Sequence, residues 1–68
     1  MDLMTTQEVA DYLKVPAATL RYWRHQGTGP KGFRLGGKKV MHRRQDVDAW
    51  LMQQINAERD EKDKLVSL

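Results

Sequence analysis

Pro16 constrains this chain more than any other residue. Its ring nitrogen carries no amide hydrogen, so a helix arriving from the N-terminal side cannot pass through it, while its fixed φ suits the first turn of a new helix. The apolar pattern on both sides is helical: Val9, Ala10 and Leu13 make one stripe before the Lys14-Val15-Pro16 break, and Ala17, Leu20 and Trp23 make another after it. Thr5-Thr6-Gln7-Glu8 is a capping box, in which the Thr5 hydroxyl accepts from the Glu8 amide and the Glu8 carboxylate reaches back. Met4 and Val9 occupy the two positions of a hydrophobic staple. Gly27 closes the second helix. The spacing predicts helices over 6–13 and 17–26, a helix-turn-helix whose second helix protrudes from the body.

Beyond Gly27 the chain turns rich in Gly and Pro, and Gly36-Gly37 signals a two-residue hairpin of the primed-turn kind. A turn on those two residues pairs Leu35 with Lys38, Arg34 with Lys39 and Phe33 with Val40. Phe33 against Val40 then packs on the core side, and Arg34 opposite Lys39 is an unfavourable like-charge pair that an anionic partner would relieve. A third helix is expected from near Gln45, with Asp46 and Asp48 in its first turn and Val47, Trp50, Leu51, Gln54 and Ile55 on its packing face. The pairs Glu58–Lys62 and Asp60–Lys64, four residues apart, extend it. The expected fold class is mainly α with a small β-hairpin: a winged helix-turn-helix of helix-turn-helix, two-stranded wing and C-terminal helix. Residues 1–57 form the domain and 58–68 a charged helical extension with a short apolar tail.

Sixty-eight residues leave no room for a βαβ nucleotide fold or an enclosed active-site cavity. There is no cysteine, which removes disulfides, thiolate metal sites and a Cys nucleophile. The N-terminus lacks the basic flank and apolar run of a signal peptide, and the longest apolar run is Ala49-Trp50-Leu51-Met52. The expectation is a soluble intracellular protein. Mapped along the chain, the charge is lopsided. Residues 14–44 hold Lys14, Arg21, Arg24, Lys31, Arg34, Lys38, Lys39, Arg43 and Arg44 with no Asp or Glu, a local +9, whereas residues 1–13 and 45–68 carry −3 each, leaving +3 overall. A basic centre between acidic ends is the electrostatic footprint of a nucleic-acid binder. Nine unopposed cations repel one another, so a merely solvated basic face is the poorer reading.

Two phosphate-site patterns are coincidental. Gly27-Thr28-Gly29-Pro30-Lys31-Gly32 follows a helix and belongs to no βαβ unit, and the stretch from Gly32 to Lys38 is followed by Lys39 where a phosphate loop needs Ser or Thr. The imidazoles are His25 and His42 and the one serine is Ser67, too little for a nucleophile, base and orienter, so no enzyme, metal or cofactor is expected. His42 reads as a hairpin residue, and Trp23 and Trp50 as core. The chemistry gathers on the outer face of the second helix, where Ala18, Arg21, Tyr22 and His25 follow i, i+3, i+4, i+7 spacing with Thr19 and Arg24 beside them. Ala18 permits close approach, Arg21 offers a fork for guanine edges or phosphates, and Tyr22 can donate to phosphate. Lys31, Arg34, Lys38 and Lys39 belong to the wing, and Arg43 and Arg44 near the hairpin base are assigned to the DNA backbone. Leu65, Val66 and Leu68 are either a self-association surface or a frayed tail.

Three separated motifs now stand in order: Thr6-Gln7-Glu8-Val9-Ala10-Asp11-Tyr12-Leu13 with Val15 after it, then Thr19-Leu20-Arg21-Tyr22-Trp23, and beyond the hairpin Arg43-Arg44-Gln45-Asp46-Val47-Asp48-Ala49-Trp50-Leu51. Together, over residues 3–55, they resemble the small winged helix-turn-helix proteins of the MerR-like excisionase superfamily, common in phages and prophages. Lys14 and Pro16 stand where that family usually has a Gly or Asn and a Ser or Thr cap. The resemblance implies a second-helix reader in the major groove, including Arg21, Tyr22 and Arg24, and a wing on the flanking groove, including Arg34, Lys38 and Lys39. With no long coiled-coil helix or effector domain expected after residue 51, it further implies an excisionase, or recombination directionality factor. Such a protein would bind and bend attachment-site duplex DNA cooperatively and direct a phage integrase toward excision, in the bacterial cytoplasm and on the nucleoid when bound. A small prophage transcriptional regulator with the same fold, and a basic protein-interaction module, are the alternatives. Neither a membrane nor a small-molecule substrate is an expected partner.

Overall fold

Thr5 ends a strand and starts a helix. In the computed structural model, which describes residues 2–66 and side chains as far as Asp60, strand β1 (Leu3–Thr5) runs directly into helix α1 (Thr6–Leu13). The Thr5 Oγ1 accepts from the Glu8 amide at 3.1 Å and the Glu8 Oε1 accepts from the Thr5 amide at 2.9 Å. Both halves of the capping box are therefore made, and two amides without helical partners are satisfied. Met4 packs onto the cluster that contains Val9, so the staple is also present.

Helix α1 ends at Lys14, the one non-glycine residue with positive φ (φ 60, ψ 42) among those described. Its amide reaches the Ala10 and Asp11 carbonyls, and the Val15 amide donates to Ala10 at 3.0 Å. Lys14 thus occupies the left-handed position that Gly or Asn fills at no steric cost. Pro16 is the N-cap of α2 (Ala17–Gln26): extended itself, it offers its carbonyl to the amides of Thr19 and Leu20. Gly27, at φ 77, stops α2 with its amide turned back onto the Arg24 and Trp23 carbonyls. Both helices and the break between them fall where the apolar pattern predicts.

The core is small. Val9, Ala10, Leu20 and Val47 are buried together, ringed by the half-buried Met4, Leu13, Val15, Ala17 and Trp23. Trp23 lies 5.4 Å from Trp50, ring centre to ring centre, and the Trp50 indole donates to the Thr28 carbonyl at 2.9 Å. Both tryptophans thus belong to the body of the domain, as their stripes indicate. Trp23 crowds the loop as well, since a Cβ on Gly29 would stand 3.0 Å from the Trp23 Cβ.

The sheet departs from expectation in two respects. It has three strands, in the order β1-β3-β2, because β1 pairs antiparallel with β3 (Lys39–Arg43) on the edge opposite β2 (Phe33–Leu35). Three residues with no turn before them carry no strand signal; pairing with residues about 38 positions away creates β1. Secondly, the hairpin loop has three residues. Gly36 and Gly37 take positive φ as their identity requires, but Lys38 joins them, and the register becomes Phe33↔Met41, Arg34↔Val40 and Leu35↔Lys39. A one-residue slip moves a strand's whole set of partners. Phe33 therefore faces Met41, not Val40, and is exposed instead of packed in the core. Arg34 no longer opposes Lys39, so the like-charge argument lapses.

Helix α3 (Arg44–Val66) starts one residue before the expected position. Val47 is buried and Trp50 and Leu51 half-buried, but Gln54 and Ile55 are exposed, and the helix runs on to Val66. The molecule measures 51 × 25 × 19 Å as a result. The side chains of Leu65 and Val66 and the whole of Leu68, the expected self-association residues, lie outside the described residues.

Replacing Lys14 by Gly is expected to raise stability by about 0.5–1 kcal/mol, the left-handed strain relieved less the added freedom of the unfolded chain. Thermal unfolding followed by circular dichroism should show a midpoint higher by about 2–8 °C.

Candidate nucleic-acid interface

Burying Ala17, Leu20 and Trp23 leaves the other side of α2 facing water. Ala18, Arg21, Tyr22, Arg24 and His25 are exposed and Thr19 is half-buried, with Tyr22 at 59% exposure. Four of these, Ala18, Arg21, Tyr22 and His25, share one helix face by their spacing. The β2–β3 hairpin projects as the wing, and Arg34, Lys38 and Lys39 on it are exposed. Among the described residues, Arg21, Arg34, Lys38 and Lys39 form no salt bridge.

The base of the wing is fixed to α2. A Cβ on Gly32 would meet the His42 ring at 2.7 Å and the Arg24 Nη1 at 3.1 Å, so the guanidinium of Arg24 lies against the start of the wing. His42 is 4% exposed. Its Nδ1 stands 2.8 Å from the Lys31 carbonyl, which can only accept, so Nδ1 carries the proton. That bond ties β3 to the loop before β2. It makes His42 a structural residue of the hairpin, the role its sequence position indicates.

The cations at the wing base are engaged within the protein. Arg43 forms a two-pronged pair with Asp46, Nε to Oδ2 at 2.8 Å and Nη2 to Oδ1 at 3.0 Å. Hydrogen bonding to Asp46 holds the Arg43 pKa above its ordinary value, and the same bond holds the Asp46 carboxyl below its own, with the charge of Lys31 adding to the effect. Arg44 lies over the Tyr12 ring, 4.8 Å from its centre, and 4.0 Å from Asp48. The Tyr12 hydroxyl donates to Asp48 at 2.6 Å. The two Tyr12 contacts bind α1 to α3, the hydroxyl bond across 36 positions of sequence, and no local pattern announces them. Lys31 sits apart from the wing tip, in a shallow open cleft with Asp46, Ala49, Trp50, Gln53 and Gln54. Lys39 lends positive potential to Glu8, whose pKa is lowered chiefly by the hydrogen bond from the Thr5 amide.

Electrostatically the domain is thus divided. The base couples its arginines to Asp46 and Asp48, while α2 and the outer wing present cations without acidic neighbours in a salt bridge. Such a surface accepts a polyanion: a helix that fits the major groove, and beside it a ribbon that reaches the next groove or its phosphates. Among the described residues there is no group of three or more His, Asp or Glu able to hold a metal ion, and no helix is long and apolar enough to cross a membrane.

A family model described as a helix-turn-helix domain matches residues 3–55. The chain belongs to that family, whose domain is a DNA-binding one. No curated protein and no solved structure matches it.

Glu8 and Asp46 both have native carboxyl pKa values below their ordinary 4.5 and 3.8. Their stabilising contribution is therefore complete above those values and is lost as the pH falls through the lower native ones. Melting curves between about pH 6 and about pH 2 should show the wild type losing stability on acidification. Glu8→Gln and Asp46→Asn should each melt lower at neutral pH, with a shallower acid slope that approaches the wild type at the acid end.

Proposed function

We propose, on the premise that this is a helix-turn-helix protein, that it is an architectural DNA-binding factor of the excisionase kind. In this reading it binds duplex DNA in several cooperative copies, bends it at attachment sites, and steers a phage integrase toward excision. The family includes excisionase-like DNA-binding proteins, and the MerR-like motifs of the sequence agree with that branch. The observation that carries the reading is the exposed face of Ala18, Arg21, Tyr22 and His25 on α2 beside a wing bearing Arg34, Lys38 and Lys39. Arg21 reads guanine edges or grips phosphate, Tyr22 donates to phosphate, and the wing cations follow the neighbouring groove. Arg24 contributes from the junction between helix and wing. Lys31, Arg43 and Arg44 contribute to the potential that attracts the backbone, Arg43 while still paired with Asp46. One small domain makes few base contacts, so useful specificity comes from repeated sites and neighbouring copies, with the C-terminal tail through Leu65, Val66 and Leu68 as the contact between them.

Circularly permuted fragments of the integration region, run as gel shifts at two salt concentrations, test this reading. The expected result is a ladder of salt-sensitive complexes whose mobility depends on the position of the site. A single complex confined to a promoter replaces it with a transcriptional regulator. No duplex binding even at low salt replaces it with a basic protein-interaction module.

On bound fragments, Arg21→Ala is expected to cost about 1–3 kcal/mol, roughly tenfold or more in affinity, and to relax the sequence preference. Lys39→Ala should weaken binding evenly across sequences and reduce the slope of log K against log salt by about one unit.

A further inference from the structure

The wing carries an apolar edge that the fold does not use. Alternation along a strand puts Phe33 and Leu35 on one face, and the observed register sets Met41 beside Phe33 and Lys39 beside Leu35. Met41 is buried, yet Leu35 is 51% exposed and Phe33 39%. A single exposed leucine needs no explanation, but this one ends its strand directly before Gly36-Gly37, where an added Cβ would meet nothing within 4 Å. Neither glycine has a side chain, so the end of the ribbon is thin just beyond Leu35. Its chain neighbours bear charge: Arg34 precedes it, Lys38 and Lys39 follow the turn, and no Asp or Glu occurs anywhere from 14 to 44.

We propose that Leu35 is an apolar wedge: it enters the DNA minor groove at the tip of the wing, packs on sugars and base edges, and partly opens a base step. The occupant is set by charge. A protein partner for this edge would have to combine an apolar seat with dense acidity on both sides of a narrow ribbon. The minor groove supplies both, with phosphates along its walls for Arg34, Lys38 and Lys39 and an apolar floor of sugar and base atoms for Leu35. Opening a step bends the duplex, and it is easiest at flexible pyrimidine–purine steps. Phe33 stands one strand repeat behind and covers the sugar next along the groove. The inference rests on the DNA-binding reading and goes beyond it, since charge alone holds DNA without unstacking it.

The test uses the whole chain and a mixed-sequence duplex of about 30 base pairs containing TA steps, with 2-aminopurine at one step as a reporter of unstacking. Wild type should bind and raise the fluorescence. Leu35→Ala should lower affinity about tenfold and abolish the rise while leaving the salt slope unchanged, because an apolar contact releases no counterion. Leu35→Met, which keeps an apolar side chain of similar volume, should restore the rise. Lys38→Ala should do the opposite, lowering the slope by about one unit and keeping the fluorescence change. An exposed strand end leaves folding intact, and an unchanged melting temperature for Leu35→Ala verifies it. Should Leu35→Ala bind with wild-type affinity and fluorescence change, the wedge is wrong and the apolar edge is a protein contact. Should the wild type bind no duplex at all, the DNA reading itself fails, and the wedge with it.

Discussion

Among the described residues Val9 and Val47 are the largest side chains removed completely from water, and the arrangement of the other elements depends on the one cluster they share. Val9 comes from α1 and Val47 from α3, so their contact cluster with Ala10 and Leu20 brings together three helices that share no hydrogen-bonded ladder. Each such burial contributes about 1.5–3 kcal/mol, large against the total stability of so small a domain. With the helices held there, β3 is delivered to both β1 and β2, and the wing acquires a fixed origin.

A core of this size cannot absorb much electrostatic strain, and the distribution of charge respects that limit. Where β3 passes into α3 the cations are matched: Arg43 by Asp46, and Arg44 by Asp48 and the Tyr12 ring. Farther out, on α2 and along the wing, they are left to repel one another in water, where high dielectric and salt weaken the repulsion. Stability and attraction of a polyanion are thereby assigned to different parts of one small fold. Close packing of Arg24 and His42 over Gly32 links the two parts, setting the wing against α2 at a defined position.

The helical part of this architecture was legible because its signals are local. A capping box, a staple, a proline break and a closing glycine all act within a few residues, and α1 and α2 begin and end where those signals place them. Lys14 shows what such signals leave out. The chain adopts the left-handed turn even without the residue that favours it, because the apolar stripes on both sides pack into one core. The outer face of α2 was legible for the same reason, since exposure there is the complement of the apolar stripe. The register of the hairpin was not. Two glycines announce a turn, but whether Lys38 belongs to the loop or to the strand depends on how β3 pairs with β1 and β2 together.

By itself, then, the sequence determined that two short helices would be joined at a sharp turn, that a basic face would lie opposite the apolar stripe of the second, and that a glycine hairpin would follow. Each of these depends on backbone geometry and side-chain periodicity within a single element. Tertiary structure alone decided that Leu3–Thr5 would become a strand and that Leu35 and Phe33 would face outward. It also decided that Tyr12 would hold Asp48 and that its ring would lie under Arg44. Each of these outcomes depends on contacts between separate elements, and such contacts exist only once the chain has packed.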